Sequence, residues 1–297
     1  MSNKTDIAKE SANTPENEPA GIGPQDKNGV DSLSFIRPIQ ERKVDTTLSS
    51  RYEMKYLISI SQAATIERFV RDYLPIDHYS SLVPDGYYPI VSLYLDSPDF
   101  RLCRESLTGV LNRFKLRIRS YSDDLSYPRF FEIKRRANIV IIKSRSRVRT
   151  QDIKALLSGR FVPPKSNSEK DLEALKLFQL YCASINAFPL IRIRYFRKAY
   201  EGTEENRVRV TFDRDLCFNT QPSDEVLLNG DSWQRNNVSL HGIILEIKFT
   251  GRFPVWLNRM TKYFNLRQRS MSKYTASVQN ACLLGFCAPK MPFELEE

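Results

Sequence analysis

The stretch Phe130 to Arg149, FFEIKRRANIVIIKSRSRVR, decides how the rest of the chain is read. Two runs rich in β-branched and aromatic residues meet at Ala137-Asn138, which predicts a β-hairpin. Side chains along a strand alternate between its two faces. Glu132, Lys134 and Arg136 therefore share one face of the first strand, and Lys143, Arg145, Arg147 and Arg149 share one face of the second. Phe131, Ile133, Val140 and Ile142 make the opposite, apolar face. Like charges at neighbouring positions on one face repel by about 0.2–1 kcal/mol per pair. A chain tolerates that in water or around a polyanion. One such hairpin is explained as well by a solvated outer face as by a binding face.

The pattern recurs, and recurrence changes the reading. Arg51-Tyr-Glu53-Met-Lys55 alternates in the same way, as does Arg113-Phe-Lys115-Leu-Arg117-Ile-Arg119. Arg192-Ile-Arg194, Tyr195-Phe-Arg197, Arg207-Val-Arg209-Val-Thr211-Phe-Asp213 and Glu246-Ile-Lys248 complete the set. Each run offers one polar face, mostly basic with a few carboxylates. A closed barrel gathers such faces into its interior, whereas an open sheet leaves them as a basic plate. Either arrangement suits a highly charged anionic partner.

Composition narrows the classes. The 297 residues suffice for one large domain or two small ones, and the formal net charge is +10. The first fifty residues hold six basic against eight acidic side chains, net −2, so the remainder carries +12. Residues 1–45 are rich in Asn, Glu, Pro, Gly, Ser and Lys, and too poor in apolar side chains to offset the entropy of ordering, which predicts a disordered tail. Gly21-Ile-Gly23 follows no strand and precedes Pro24, so it is no dinucleotide fingerprint. The five cysteines, at 103, 182, 217, 282 and 287, show no C-x-x-C spacing and read as reduced thiols of an intracellular, cytoplasmic protein. His78 and His241 are the only histidines, which argues against a His-rich zinc site or a Ser-His-Asp triad. No apolar run is long enough for a transmembrane helix. No Walker GxxxxGK[ST] is present.

Eight strands are predicted, with helices between and after them. Ser61 is expected to cap a helix to about Tyr73, Pro254 to open one through Tyr263, and Ser272 to cap one from Lys273 to Leu284. Residues 220–240 read as a polar loop. There is no internal repeat and no regular β-α alternation, which favours an α+β fold built on a closed antiparallel barrel over a Rossmann sheet or TIM barrel.

Eight motifs in order resemble the VTC domain, the polyphosphate polymerase domain of the vacuolar transporter chaperone complex within the triphosphate tunnel metalloenzyme (CYTH-like) superfamily. They are RYEMKY at 51–56, SLYLD at 92–96, KLRIRSY at 115–121, FFEIKRR at 130–136, YFRKAY at 195–200, RVTFD at 209–213, LEIKF at 245–249 and SMSKY at 270–274. The resemblance implies a domain over 46–290 followed by a short tail at 291–297, with an eight-stranded antiparallel tunnel. It implies that Lys55, Arg117, Arg119, Lys134, Arg197, Arg209, Lys248 and Lys273 grip phosphates, with Tyr195 as a hydroxyl donor. One further basic position falls among Lys143, Arg145 and Arg147. Glu246 resembles the family's metal-binding carboxylate, with Glu132 or Glu53 as candidate partners, holding Mn²⁺ or Mg²⁺. The superfamily's Glu-x-Glu-x-Lys reads Arg51-Tyr-Glu53-Met-Lys55 here, which weakens a full triphosphatase-type metal site. Neither a recognisable SPX sensor domain nor membrane segments accompany these motifs.

The implied activity is transfer of the γ-phosphate of ATP to a growing polyphosphate chain. Arg offers planar paired donors to phosphate oxygens and Lys a point charge. A terminal phosphate, with a second pKa of about 6, is already largely ionised at neutral pH and needs no strong base. The alternatives are a triphosphatase or polyphosphatase on the same scaffold, and a non-catalytic binder of polyphosphate or nucleic acid. Nucleic acid is disfavoured because the aromatic residues mostly alternate with the basic ones and point away from them. Lys115 shares the face of Arg117 and Arg119 but is not among the motif positions.

Overall fold

The computed structural model describes residues 51–138, 140–166, 168–202, 208–221, 223–236 and 242–286. The expected tails at 1–45 and 291–297, with His241 and Cys287, lie outside the described residues.

The strands are β1 (Arg51–Ile58), β2 (Tyr88–Asp96), β3 (Arg113–Ser120), β4 (Arg129–Ala137), β5 (Val140–Val148), β6 (Phe188–Glu201), β7 (Arg209–Asn219), β8 (Gln234–Arg235) and β9 (Ile243–Thr250). They form one antiparallel sheet in the order β1-β9-β7-β6-β2-β3-β4-β5, with the two-residue β8 paired to β7 inside the expected loop. The sheet curls strongly into a half-barrel. A contact demonstrates the curl: Lys134 of β4 lies 3.5 Å from Glu53 of β1, although five strands stand between β4 and β1 in the order. The expected closure is overstated, because the edge strands β1 and β5 are not paired with each other. Side chains, rather than a ladder of backbone hydrogen bonds, reach across the seam.

The opening hairpin forms as expected. Ala137 pairs with Val140, and Asn138 takes the left-handed conformation (φ 54) that such a turn demands and Asn tolerates. Phe131 and Ile133 are buried, but Val140 and Ile142 are not, because β5 is an edge strand and, among the described residues, nothing covers its tip.

Helices cover the outer face in two groups. Residues of α1 (Ile60–Arg71) and α6 (Val255–Tyr263), including Ile66, Val70, Leu257 and Met260, join Tyr56, Val210, Phe212, Leu245 and Ile247 in one core cluster. Residues of α4 (Ile153–Leu157) and α5 (Glu169–Ser184) pack on β3, β4 and β5, with Phe131 edge-on to Phe178 at 4.9 Å. Each large apolar side chain so buried contributes about 1.5–3 kcal/mol. Ser59, rather than Ser61, caps α1: its hydroxyl accepts from Gln62 N, and the Gln62 side chain returns to Ser59 N, a reciprocal capping box. The four-residue α2 (His78–Ser81) is capped by Asp77 and was not expected.

A third cluster lies inside the curl. Ile90, Ile191, Ile193, Leu216, Phe218 and Ile244 meet Phe100 and Cys103 of the α3 segment (helix Arg101–Leu107) and Tyr274, Val278 and Ala281 of α7 (Lys273–Leu283). The inner face is therefore partly an apolar plug and partly ionic. A β-bulge manages the change on β7: the β6–β7 register shifts between Arg194 and Phe196, and Asp215 adopts φ 53. Thr211 and Asp213 face inward before the bulge, Leu216 and Phe218 after it. Gly242 leads into β9 so close to β1 that a Cβ there would stand 2.6 Å from Ile58 O.

Candidate functional site: a buried ionic lumen

Period-two alternation brings the charged faces of β1, β3, β4, β6, β7 and β9 to the inside of the curl. Three carboxylate-centred groups organise it. In the first, Glu132 accepts from Arg117 Nε at 2.6 Å and from Arg145 Nε at 2.6 Å, and Arg119 Nε stands 3.9 Å away while donating to Ser92 Oγ at 3.2 Å. In the second, Asp213 takes two bonds from Arg197, Nε to Oδ1 at 2.6 Å and Nη2 to Oδ2 at 2.8 Å, and contacts Lys273 Nζ at 2.6 Å. In the third, Glu53 and Glu246 face the lumen from neighbouring strands: Glu53 lies 3.0 Å from Lys55 and 3.5 Å from Lys134, and Glu246 pairs with Lys248 and lies 3.6 Å from Arg197. In register, Lys55 stands opposite Glu246 and Glu53 opposite Lys248.

Of the residues singled out in the sequence, Lys55, Arg117, Arg119, Lys134, Arg197, Lys248 and Lys273 converge here with Glu53, Glu132 and Glu246. Tyr195 is buried, with Lys273 Nζ 4.8 Å and Arg197 5.4 Å from its ring. Among the three basic candidates on β5, Arg145 reaches Glu132. Arg147 turns to Asp171 of α5 at 2.9 Å, and Lys143 is exposed opposite Lys134. Arg209 shares the inner face of β7 but is held by Asp77 at 3.1 Å and by Glu201. Arg192 and Arg194 face the other way, Arg194 lying over the Trp233 ring at 4.5 Å and donating to Leu228 O, because the alternation on β6 gives the inner face to Ile191, Ile193, Tyr195 and Arg197.

Charge, more than burial, sets the protonation of the carboxylates. Burial pushes the Glu132 carboxyl up, but Arg117, Arg119 and Arg145 outweigh it and hold it far below the usual range. Glu246 is likewise held well below that range, burial being overcome by Lys248, Arg197, Lys55 and Lys273. Asp213 is lowered by Arg197 and Lys273 against its burial. Glu53 is lowered too: burial and the neighbouring Glu246 raise it, and Lys55, Lys134 and Lys248 prevail. All four are anions at neutral pH. The surrounding cations outnumber them by about two to one, so the lumen is electropositive.

The repulsion between Glu53 and Glu246 marks the pair that suits a divalent cation. Two carboxylates that leave the remaining coordination to phosphate oxygens and water match how Mg²⁺ is held at phosphate-bearing sites. Among the described residues no three metal-ligating side chains cluster. Glu132, expected as a third candidate, sits instead within the arginine group, because three guanidinia compete for its two oxygens.

Sequence reasoning missed several members. Asp213 ends the RVTFD motif and lies in phase with Arg209 and Thr211, so its inward direction was legible but its partners were not. Tyr94, whose hydroxyl accepts from Arg117 at 3.3 Å, and Lys115, which donates to Ser272 Oγ, also line the lumen. Asp96, in SLYLD, is buried and accepts from Leu102 N at 2.8 Å, Cys103 N at 2.9 Å and the Tyr274 hydroxyl, tying β2 to α3 and α7.

Eight antiparallel strands thus curl around a buried, cation-rich face. The chain belongs to the VTC domain family, whose model matches residues 50–282. Similar solved structures include a candidate adenylate cyclase from Bacillus halodurans (TM-score 0.43, 16% identity, covering 75% of this chain and 94% of that one). Others are the PH1819 protein from Pyrococcus horikoshii (TM-score 0.40, 14% identity, 78% and 99% covered) and a candidate adenylyl cyclase from Hippeastrum reported to have a dominant triphosphatase activity (TM-score 0.42, 14% identity, 78% and 96% covered). No curated protein sequence matches the chain.

Proposed function

We propose that the protein is a metal-dependent polyphosphate polymerase that transfers the γ-phosphate of ATP to the end of a polyphosphate chain held in the lumen. The observation that carries this reading is the convergence of Lys55, Arg117, Arg119, Lys134, Arg197, Lys248 and Lys273 on one enclosed surface with a deficit of carboxylates. Membership of the VTC domain family supports it. Phosphoryl transfer asks a protein mainly for positioning and charge stabilisation. Arg117 and Arg119 present planar donors to successive phosphates, while Lys134, Lys248 and Lys273 supply point charges to their oxygens. Glu246 with Glu53 would hold Mn²⁺ or Mg²⁺, which would neutralise charge on the transferring phosphoryl group.

The reaction needs no general base from the protein. The ionised terminal oxygen of the chain attacks the γ-phosphorus, a P–O bond forms to it, and the bond to the β-phosphate oxygen breaks with that electron pair leaving on ADP. ATP carries one more negative charge than ADP and the chain gains one, so no proton is released. The Cys103 thiol, in the apolar plug, is no nucleophile for this step: it is pushed up to about 12, chiefly by burial.

The test is incubation with ATP and Mn²⁺, following ADP and resolving anionic products by length. ADP release with accumulation of polyanions longer than triphosphate is the expected result. Orthophosphate as the only product at every metal tested would make the protein a hydrolase. Untouched ATP with tight polyphosphate binding would make it a binder.

A further inference from the structure

Five lysines of the ionic lumen are partly buried: Lys55, Lys115, Lys134, Lys248 and Lys273. Four of them have a carboxylate within ion-pair distance, namely Glu53 for Lys55 and Lys134, Glu246 for Lys248 and Asp213 for Lys273. Lys115 has none among the described residues. Its Nζ donates instead to a neutral oxygen, Ser272 Oγ, at 2.6 Å, and lies 5.9 Å from the centre of the Tyr274 ring. Lys115 is directly opposite Lys134 on β4, two residues before Arg117 on the same face.

We propose that Lys115 is a further phosphate-binding residue of the lumen, whose ammonium leaves Ser272 for a phosphate oxygen when polyphosphate enters, with a proton taken from solvent to complete its charge. The inference rests on the polyphosphate reading above. A cation without a carboxylate partner has no internal neutralisation to give up, so it is the lysine from which an incoming phosphate displaces least. Leaving Ser272 is cheap as well, because Ser272 Oγ still accepts from Thr275 N as the cap of α7.

The surroundings explain why the charge is incomplete beforehand. The groups facing Lys115 are Tyr94 of β2, Lys134 of β4, Lys55 of β1 and Cys103 of α3, with Ser272 and Tyr274 at the start of α7. Burial, reinforced by Lys134 and Lys55 and opposed by Tyr94, brings Lys115 down to about 8. Tyr94 is its counterpart: burial raises the phenol, but Arg117, which donates to its hydroxyl at 3.3 Å, together with Arg119 and Lys115, brings it down to about 8. A phosphate arriving at Lys115 favours the ammonium, so binding draws a proton.

The experiment is calorimetric titration of the full chain with polyphosphate at pH 8, in two buffers of different ionisation enthalpy, which reads protons taken up per ligand. A lysine half-charged at about 8 and fully charged against phosphate takes up about half a proton there. Lys115→Arg, permanently charged, is expected to bind with uptake lower by about that amount, while Lys115→Met binds on the order of tenfold more weakly at pH 7. A strap that merely fastens α7 to β3 predicts equal uptake in wild type and Lys115→Arg, and that result overturns the inference while leaving the polyphosphate reading intact. Wild-type protein that binds no polyphosphate overturns both. Tyr94→Phe separates the phenol's own contribution to the uptake.

Discussion

Asp213→Asn isolates what one buried carboxylate does in this lumen. Asp213 is almost fully enclosed, with 2% of its surface exposed, and meets Arg197 through two bonds of 2.6 and 2.8 Å and Lys273 at 2.6 Å. The substitution keeps the shape and one acceptor but leaves two buried cations short of a charge. Removing one partner of a buried pair costs about 3–5 kcal/mol. The retained acceptor places this case near the lower end. For a domain of this size each kcal/mol shifts Tm by about 2–4 °C, so the variant is expected to melt about 6–12 °C below wild type. Polyphosphate should reverse much of the loss, because its oxygens supply the missing negative charge. A ligand at a hundred times its Kd adds about 2.7 kcal/mol, and each tenfold gain in affinity adds about 1.4 more. Thermal melts at pH 7, with and without polyphosphate, should therefore show a larger ligand-induced rise for the variant than for wild type. A variant melting within about 2 °C of wild type would refute the reasoning, since attraction and desolvation would then cancel. An equal ligand-induced rise in both proteins would place the polyanion away from Arg197 and Lys273.

Other expectations follow from the same geometry. Glu246→Gln should abolish metal-dependent turnover while polyphosphate binding is kept or tightened, by on the order of 1 kcal/mol; wild-type turnover would remove Glu246 from the metal site. Lys134→Ala and Arg119→Ala should each severely reduce chain growth measured as polyanion length, and normal chains from either variant would place the phosphates elsewhere. The carboxyl groups of Glu132, Asp213 and Glu246 are depressed in the folded protein, so their stabilisation is present above the unfolded value of about 4 and is lost as pH falls through the lower folded values. Melting temperature should thus change little from these groups between pH 7 and 5 and fall in stronger acid; a drop between pH 7 and 5 that Glu132→Gln eliminates would contradict the ion-pair assignment. Removing residues 1–45 should leave catalysis intact, and loss of most activity with circular dichroism unchanged would show that the segment contributes to the site.

Much of the lumen was legible in the sequence because a strand fixes side-chain direction by parity alone. Once 130–149 is read as two strands, Glu132, Lys134 and Arg145 must share a face, and the same parity aligns Lys55 with Glu53 and Lys248 with Glu246. The helix start marked by Pro254 and the cap at Ser272 were equally local, resting on one residue and the turn that follows it. Parity says nothing about which strands become neighbours or how far a sheet bends. Only the tertiary structure carries Lys134 across the seam to Glu53, divides the carboxylates so that Glu132 serves three arginines while Glu53 and Glu246 stay together, and sends Arg147 to Asp171 and Arg209 to Asp77. The bulge at Asp215 shows the limit most plainly: one extra residue reverses the parity of β7, turning Leu216 and Phe218 inward. Lys115 looked like the weakest member of its run because its distinguishing feature is the lack of a carboxylate within reach. Local rules of backbone geometry let the sequence by itself determine eight of the strands, their charged faces and the Ser272 cap. The pairing of charges was decided by the fold, since it depends on distances between residues far apart in the chain.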